Sequence, residues 1–147
     1  MTVLRLARSL AVYARHARHY SAGASTDKIL MKGLVFHGYH GVLPEERTLG
    51  QKFVVDATLS VSLQKAGLSD NLADTISYAS AYDTIRSIVQ GPPRELVECV
   101  AENVARSLLE KHSAVQAVTV SVTKPHVAVV GIVEKLGIEI TRSREDL

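Results

Sequence analysis

PPRELVECVAENVARSLLE, residues 92–110, is the stretch from which the fold of this chain is read. Leu96, Val97, Val100, Ala101, Val104, Ala105 and Leu108 recur at the spacing of a helix with one buried face. Pro92 and Pro93 suit a loop and a helix start, and neither fits a helix interior. Glu98 falls in the first turns, at the border of the apolar stripe, where the helix dipole favours a carboxylate. Its side chain has two readings: a solvated helix charge, or a pair of acceptor oxygens presented to a pocket.

Working outward from that helix, residues 77–89 repeat its period through Tyr78, Ala81, Tyr82, Ile85 and Val89, and Gly91 to Pro93 separate the two. Residues 51–63 alternate strictly. Val55, Ala57, Leu59, Val61 and Leu63 share one face, and Asp56, Thr58, Ser60 and Ser62 the other. Residues 115–124 alternate again, 136–142 form a last strand, and 28–36 are a first β-rich run followed by the glycine-containing turn His37–Gly41. Residues 67–75 read as a polar loop. The order ββααββ predicts an α+β fold, a four-stranded antiparallel sheet with both helices on its apolar face. The opposite face is hydroxyl-rich: Thr58, Ser60, Ser62, Thr119, Ser121, Thr123 and Thr141. That pattern fits a Thr-rich solvent face, which strand propensity favours, or a face turned to another polypeptide or a water-filled centre. The two sheet edges need covering, and closing several sheets into a ring removes them.

The chain has 147 residues, room for one domain, and is 46% hydrophobic and 22% charged, as soluble globular proteins are. Its one cysteine, Cys99, has no internal disulfide partner and fits a reducing compartment. Four arginines, Arg5, Arg8, Arg15 and Arg18, lie in residues 1–26, which hold no acid, so a net charge of +2 leaves the remainder at about −2. Nucleic-acid binding by the body is not expected on that charge. Residues 1–26 read as a mitochondrial targeting segment, with Arg18-His19-Tyr20-Ser21 resembling a matrix-peptidase site cut after Tyr20. The expected location is therefore the mitochondrial matrix, the alternative the cytoplasm with a plain basic tail. No apolar run approaches the ~20 residues of a membrane span. Residues 27–147 form the domain.

Lys124 shares parity with Val118, Val120 and Val122, which puts it on the helix-covered side at a strand end, either as a proton-transfer group at a pocket mouth or snorkelling to water. Glu46, in Pro44-Glu45-Glu46-Arg47, reads as a loop charge, and Tyr78 as a core aromatic on the first helix. His37 and His40 lie three apart with no third His or Cys at a metal-site spacing, so they read as hydrogen-bonded turn histidines, and no metal or cofactor is expected.

Five motifs carry a resemblance. Phe36-His37-Gly38-Tyr39-His40-Gly41-Val42-Leu43-Pro44-Glu45-Glu46, Leu49-Gly50-Gln51-Lys52-Phe53, Asp70-Asn71-Leu72-Ala73-Asp74-Thr75-Ile76-Ser77-Tyr78, Leu96-Val97-Glu98 and Lys124-Pro125 run in the order and spacing of dihydroneopterin aldolase. Over about residues 27–142 the chain resembles that folate-biosynthesis family, its plant-type enzymes above all. The resemblance implies the tunnelling fold (T-fold), ββααββ subunits in tetrameric rings or stacked octamers. It also implies a lyase that splits 7,8-dihydroneopterin into 6-hydroxymethyl-7,8-dihydropterin and glycolaldehyde, with an epimerase side activity.

By position, the resemblance makes Glu98 the pterin anchor and Lys124 the acid/base lysine near N5. Tyr78 becomes a proton-transfer tyrosine entering from a neighbouring subunit, and Glu46 the carboxylate beside the trihydroxypropyl chain. Val97 and Thr75 become backbone contacts to the pterin. Val130 stands where the family often has proline, and Val133-Glu134-Lys135 is atypical, so the loop before the last strand departs from the pattern. Rival functions are an epimerase acting on dihydroneopterin or its triphosphate, a non-catalytic pterin-binding ring, and a zinc-dependent pterin synthase of the same fold whose histidine set is missing.

Overall fold

The computed structural model describes residues 27–147, and the targeting segment expected at 1–26 lies outside them. Four strands, β1 (Lys28–Gly38), β2 (Gln51–Ser60), β3 (Ala117–Lys124) and β4 (Leu136–Ser143), form one antiparallel sheet in the order β1-β2-β3-β4. Two long helices, α3 (Tyr78–Val89) and α4 (Val97–Lys111), connect β2 to β3. Two short helices, α1 (Pro44–Leu49) and α2 (Gln64–Ser69), precede them. No helix among the described residues is long and apolar enough to cross a membrane.

The predicted faces pack as expected. Val55, Ala57 and Leu59 of β2 and Val118, Val120 and Val122 of β3 are fully buried. They meet Ala81, Ile85 and Val89 of α3, and Val100, Ala101, Val104, Ala105, Leu108 and Leu109 of α4, in one core. Each Val, Leu and Ile among them is worth about 1.5–3 kcal/mol of transfer free energy, which makes the two periodicities decisive for the fold. On the opposite face Thr119 and Thr141 share a hydroxyl hydrogen bond of 2.9 Å across β3 and β4.

Sequence and structure differ at several places. The pattern through Leu63 stops as a strand at Ser60, because Gln64–Ser69 coils into α2, whose last residues enter the stretch read as loop. β3 begins at Ala117 rather than at residue 115. The 92–96 segment is extended, and α4 starts only at Val97, after its cap Leu96. Glu46 sits on α1 rather than in a loop, with Pro44 in the first helical turn. Tyr78, expected in the core, is 70% exposed, because α3 turns Ala81, Ile85 and Val89 inward and leaves its first residue at the rim. β1 and β4 are the two edges of the sheet among the described residues.

Candidate active site

At the end of the sheet where β2 starts and β3 finishes, a pocket of about 290 Å³ opens between the sheet and α4. Glu46, Val97, Glu98 and Lys124 all line it, together with Val42, Glu95, Leu96, Val127 and the start of β4. Four of the six residues expected at a site therefore meet in one place, although Glu46 and Lys124 are 78 positions apart.

Lys124 ends the buried row of β3, as its parity predicts, and its side chain is only 16% exposed. Nζ lies 5.7 Å from the centre of the buried Phe53 ring and donates to Glu46 Oε1 at 2.6 Å. The Glu46 carboxylate is held from three sides. Gln51 Nε2 donates to Oε1 at 2.7 Å, and the Leu43 N–H to Oε2 at 3.1 Å. Burial pushes the Glu46 pKa up, but the hydrogen bonds from Lys124, Leu43 and Gln51 outweigh it, and the carboxyl is held below its ordinary range. Gly41, at φ +155°, makes room for this carboxylate, since a Cβ there would collide with Oε2 of Glu46.

Glu98 comes from the first turn of α4. The amides of Val97 and Glu98 have no helical carbonyl to bond, so the pocket wall combines a carboxylate with free N–H groups at the positive end of a 15-residue helix. Such a wall can take a planar ligand that offers paired N–H donors to the carboxylate and acceptors to the amides. The Lys124–Glu46 pair supplies a proton donor beside an acceptor, both side chains being largely buried at the pocket's inner end.

Tyr78 and Thr75 lie elsewhere. Tyr78 borders an apolar recess with Leu30, Met31, Leu34, Ala79, Tyr82 and Asp83, and Thr75 another surface hollow near Ser77 and Lys111. His37 and His40 are both hydrogen-bonded, but only His40 lies in the turn, because His37 belongs to β1 and pairs with Lys52; His37 Nε2 bonds the Leu49 carbonyl at 3.1 Å, and both nitrogens of His40 are engaged. Among the described residues no three His, Cys, Asp or Glu side chains are grouped as a metal site. Sequence reasoning passed over Gln51, which orients Glu46. Its signal was a polar residue opening a strand within the Leu49–Phe53 motif. Val127 was passed over too, because a loop position carries no periodicity.

The chain matches the family model described as "FolB: Dihydroneopterin aldolase" over residues 29–141. Dihydroneopterin aldolase 1 of Arabidopsis thaliana is 50% identical to it over 119 residues, 80% of this chain and 82% of that protein. Among solved structures, an E. coli dihydroneopterin aldolase in complex with neopterin has a TM-score of 0.74 at 34% identity, covering 80% of this chain and 99% of that one. A Burkholderia dihydroneopterin aldolase bound to guanine has a TM-score of 0.66 at 25% identity, covering 80% and 91%. Matched across parts of all four strands and both long helices, the chain belongs to the dihydroneopterin aldolase family.

Proposed function

We propose that the pocket cleaves 7,8-dihydroneopterin by acid/base chemistry alone, with neither a metal nor a lysine Schiff base. One observation carries the reading: the Lys124–Glu46 pair, at 2.6 Å, lines the same pocket as Glu98. Glu98 accepts N3–H and the 2-amino group of the pterin side by side, and guanine, bound in the Burkholderia relative, presents the same donor edge. The substrate's own N5=C6 imine then lies toward Lys124. Loss of the 2′-hydroxyl proton breaks the C1′–C2′ bond, and its electrons flow into the imine. N5 takes a proton from Lys124 as glycolaldehyde leaves; the enamine then gains at C1′ a proton equivalent to the one lost from the 2′-hydroxyl, and N5 returns its own to Lys124, restoring the imine. Lys124 serves N5, and Glu46 holds Lys124 and faces the trihydroxypropyl chain. Because the electron sink is in the substrate, a retro-aldol needs from the protein only orientation, proton transfer and exclusion of water. Release and re-addition of the aldehyde on the other face gives the epimer as a side product.

The exposed Tyr78 belongs, in this reading, to a neighbouring copy's pocket, with Thr75 beside it. Pairing β1 of one copy with β4 of the next covers both open edges and closes a tetrameric ring, or an octamer of two rings. Residues 1–26 take the chain to mitochondria. The test is incubation with dihydroneopterin, with and without EDTA and borohydride. Glycolaldehyde release that survives chelation, with no lysine adduct trapped, is the expected result. Activity lost to EDTA and restored by Zn²⁺ refutes the mechanism, and interconversion of epimers without aldehyde favours the epimerase.

A further inference from the structure

The pocket has two walls from distant parts of the chain. One is the turn 38–43 with α1, which carries Glu46 to Lys124. The other is the linker 90–96 with the first turn of α4, which carries Val97 and Glu98. His40 joins them. Its ring is fully buried, yet it does not line the pocket. Nε2 donates to the Val89 carbonyl at the end of α3, at 2.8 Å, and Nδ1 accepts the Arg94 N–H at 3.0 Å. These partners require one neutral tautomer, with the proton on Nε2. The neighbouring Gly41 N–H donates to the Arg94 carbonyl at 2.9 Å. The ring also stands edge-on to Phe53, with centroids 5.4 Å apart, and Phe53 is the ring beneath Lys124 Nζ. Arg47 adds an outer staple between the walls: Nε donates to the Gly41 carbonyl and Nη2 to Glu95 Oε1, each at 2.8 Å.

We propose that His40 is a positioning residue that sets the spacing between Glu98, which holds one end of the ligand, and the Lys124–Glu46 pair, which acts at the other. The inference rests on the pterin reading of the site. A pterin is a rigid bicycle, so the two walls must stand at one separation for N5 to meet Lys124 while Glu98 keeps its pair of hydrogen bonds. A misplacement of about 1 Å costs on the order of 10²-fold in rate. The two bonds of His40 do different things. The Val89 bond ties the turn to the end of α3. The Arg94 bond ties it to the linker that delivers Glu98, and that bond sets the spacing.

Two amide substitutions separate them. In His40→Asn the side-chain oxygen stands near the place of Nδ1 and can accept from Arg94, but the side chain is too short for Val89. In His40→Gln the amide nitrogen reaches the place of Nε2 and can donate to Val89, but no acceptor faces Arg94. Turnover of dihydroneopterin, neopterin affinity and thermal midpoint are measured for both variants beside wild type. The expected result is that His40→Gln binds neopterin within about fivefold of wild type while kcat falls about 10²-fold, and His40→Asn, no more stable, keeps kcat within about tenfold. Equal kcat in the two variants, or kcat that only follows the folded fraction, overturns the inference. If neither variant folds, Arg47→Ala decides. It removes the solvent-side staple and is expected to lower kcat about tenfold at unchanged neopterin affinity. Wild-type kcat in Arg47→Ala overturns the inference. A wild type that releases no glycolaldehyde overturns the functional reading as well, whereas an active wild type with an active His40→Gln overturns the spacing role alone.

Discussion

Replacing Lys124 by methionine separates the chemistry of the pocket from its stability. Methionine keeps an apolar stem over the Phe53 ring and removes the ammonium. Glu46 then loses its 2.6 Å partner but retains Gln51 on Oε1 and the Leu43 N–H on Oε2. Stripping one partner from a buried ion pair costs about 3–5 kcal/mol when the remaining charge is uncompensated. Here two donors remain, and the Glu46 side chain is 19% exposed and within reach of water. The cost therefore falls at about 1–3 kcal/mol, a drop of roughly 4–12 °C in thermal midpoint for a domain of this size. Turnover responds far more. Without the proton donor at N5, kcat falls by about 10²–10⁴, some 3–5 kcal/mol of barrier. Neopterin affinity changes by less than about tenfold, because Glu98 keeps its bidentate pair. The assay is saturating turnover, read as glycolaldehyde, beside direct binding of neopterin at the same temperature and a melting curve in the same buffer. A Lys124→Met variant that turns over within threefold of wild type would refute the assigned role. So would one that loses binding and turnover equally.

Glu98→Gln replaces one acceptor by a donor facing the donors of the pterin, and neopterin affinity is expected to fall by about 10²–10³-fold. A titration giving wild-type affinity removes Glu98 from the pterin edge. Mixing inactive Tyr78→Ala subunits with inactive Lys124→Ala subunits should restore part of the activity, since some interfaces then carry both intact residues; mixtures that stay dead exclude a shared site. Stability should fall on the acid side. Burial, aided by Arg94 and Lys124, lowers the pKa of His40 below 6.5 against the opposing Val89 hydrogen bond. The unfolded chain therefore takes up that proton first, and stability is full above about pH 6.5 and declines as pH drops below it. Glu46, lowered from 4.5, adds a second loss as pH falls below about 4.5. Urea midpoints that stay flat from pH 7.5 to 4 would contradict both assignments.

The period of residues 92–110, the strict alternation of 51–60 and 117–124, and the parity that turns Lys124 inward are local properties, and they determined the sheet, its buried face and the helices that cover it. The motifs named the family because they are linear strings in register. Two short helices escaped, since six residues make fewer than two turns of period, and α1 has its carboxylate, Glu46, committed to tertiary partners. Tyr78 read as core because period alone cannot tell a stripe's centre from its end. Which residues meet was decided by tertiary structure alone. Glu46 reaches Lys124 across 78 positions because the β1–β2 connection folds over the end of β3. His40 finds the Val89 carbonyl and the Arg94 N–H because α3 ends, and the linker to α4 begins, beside the same turn. Hydrogen bonds between such distant segments have no sequence period, because they arise only after burial of the apolar faces has brought the loops to one end of the sheet.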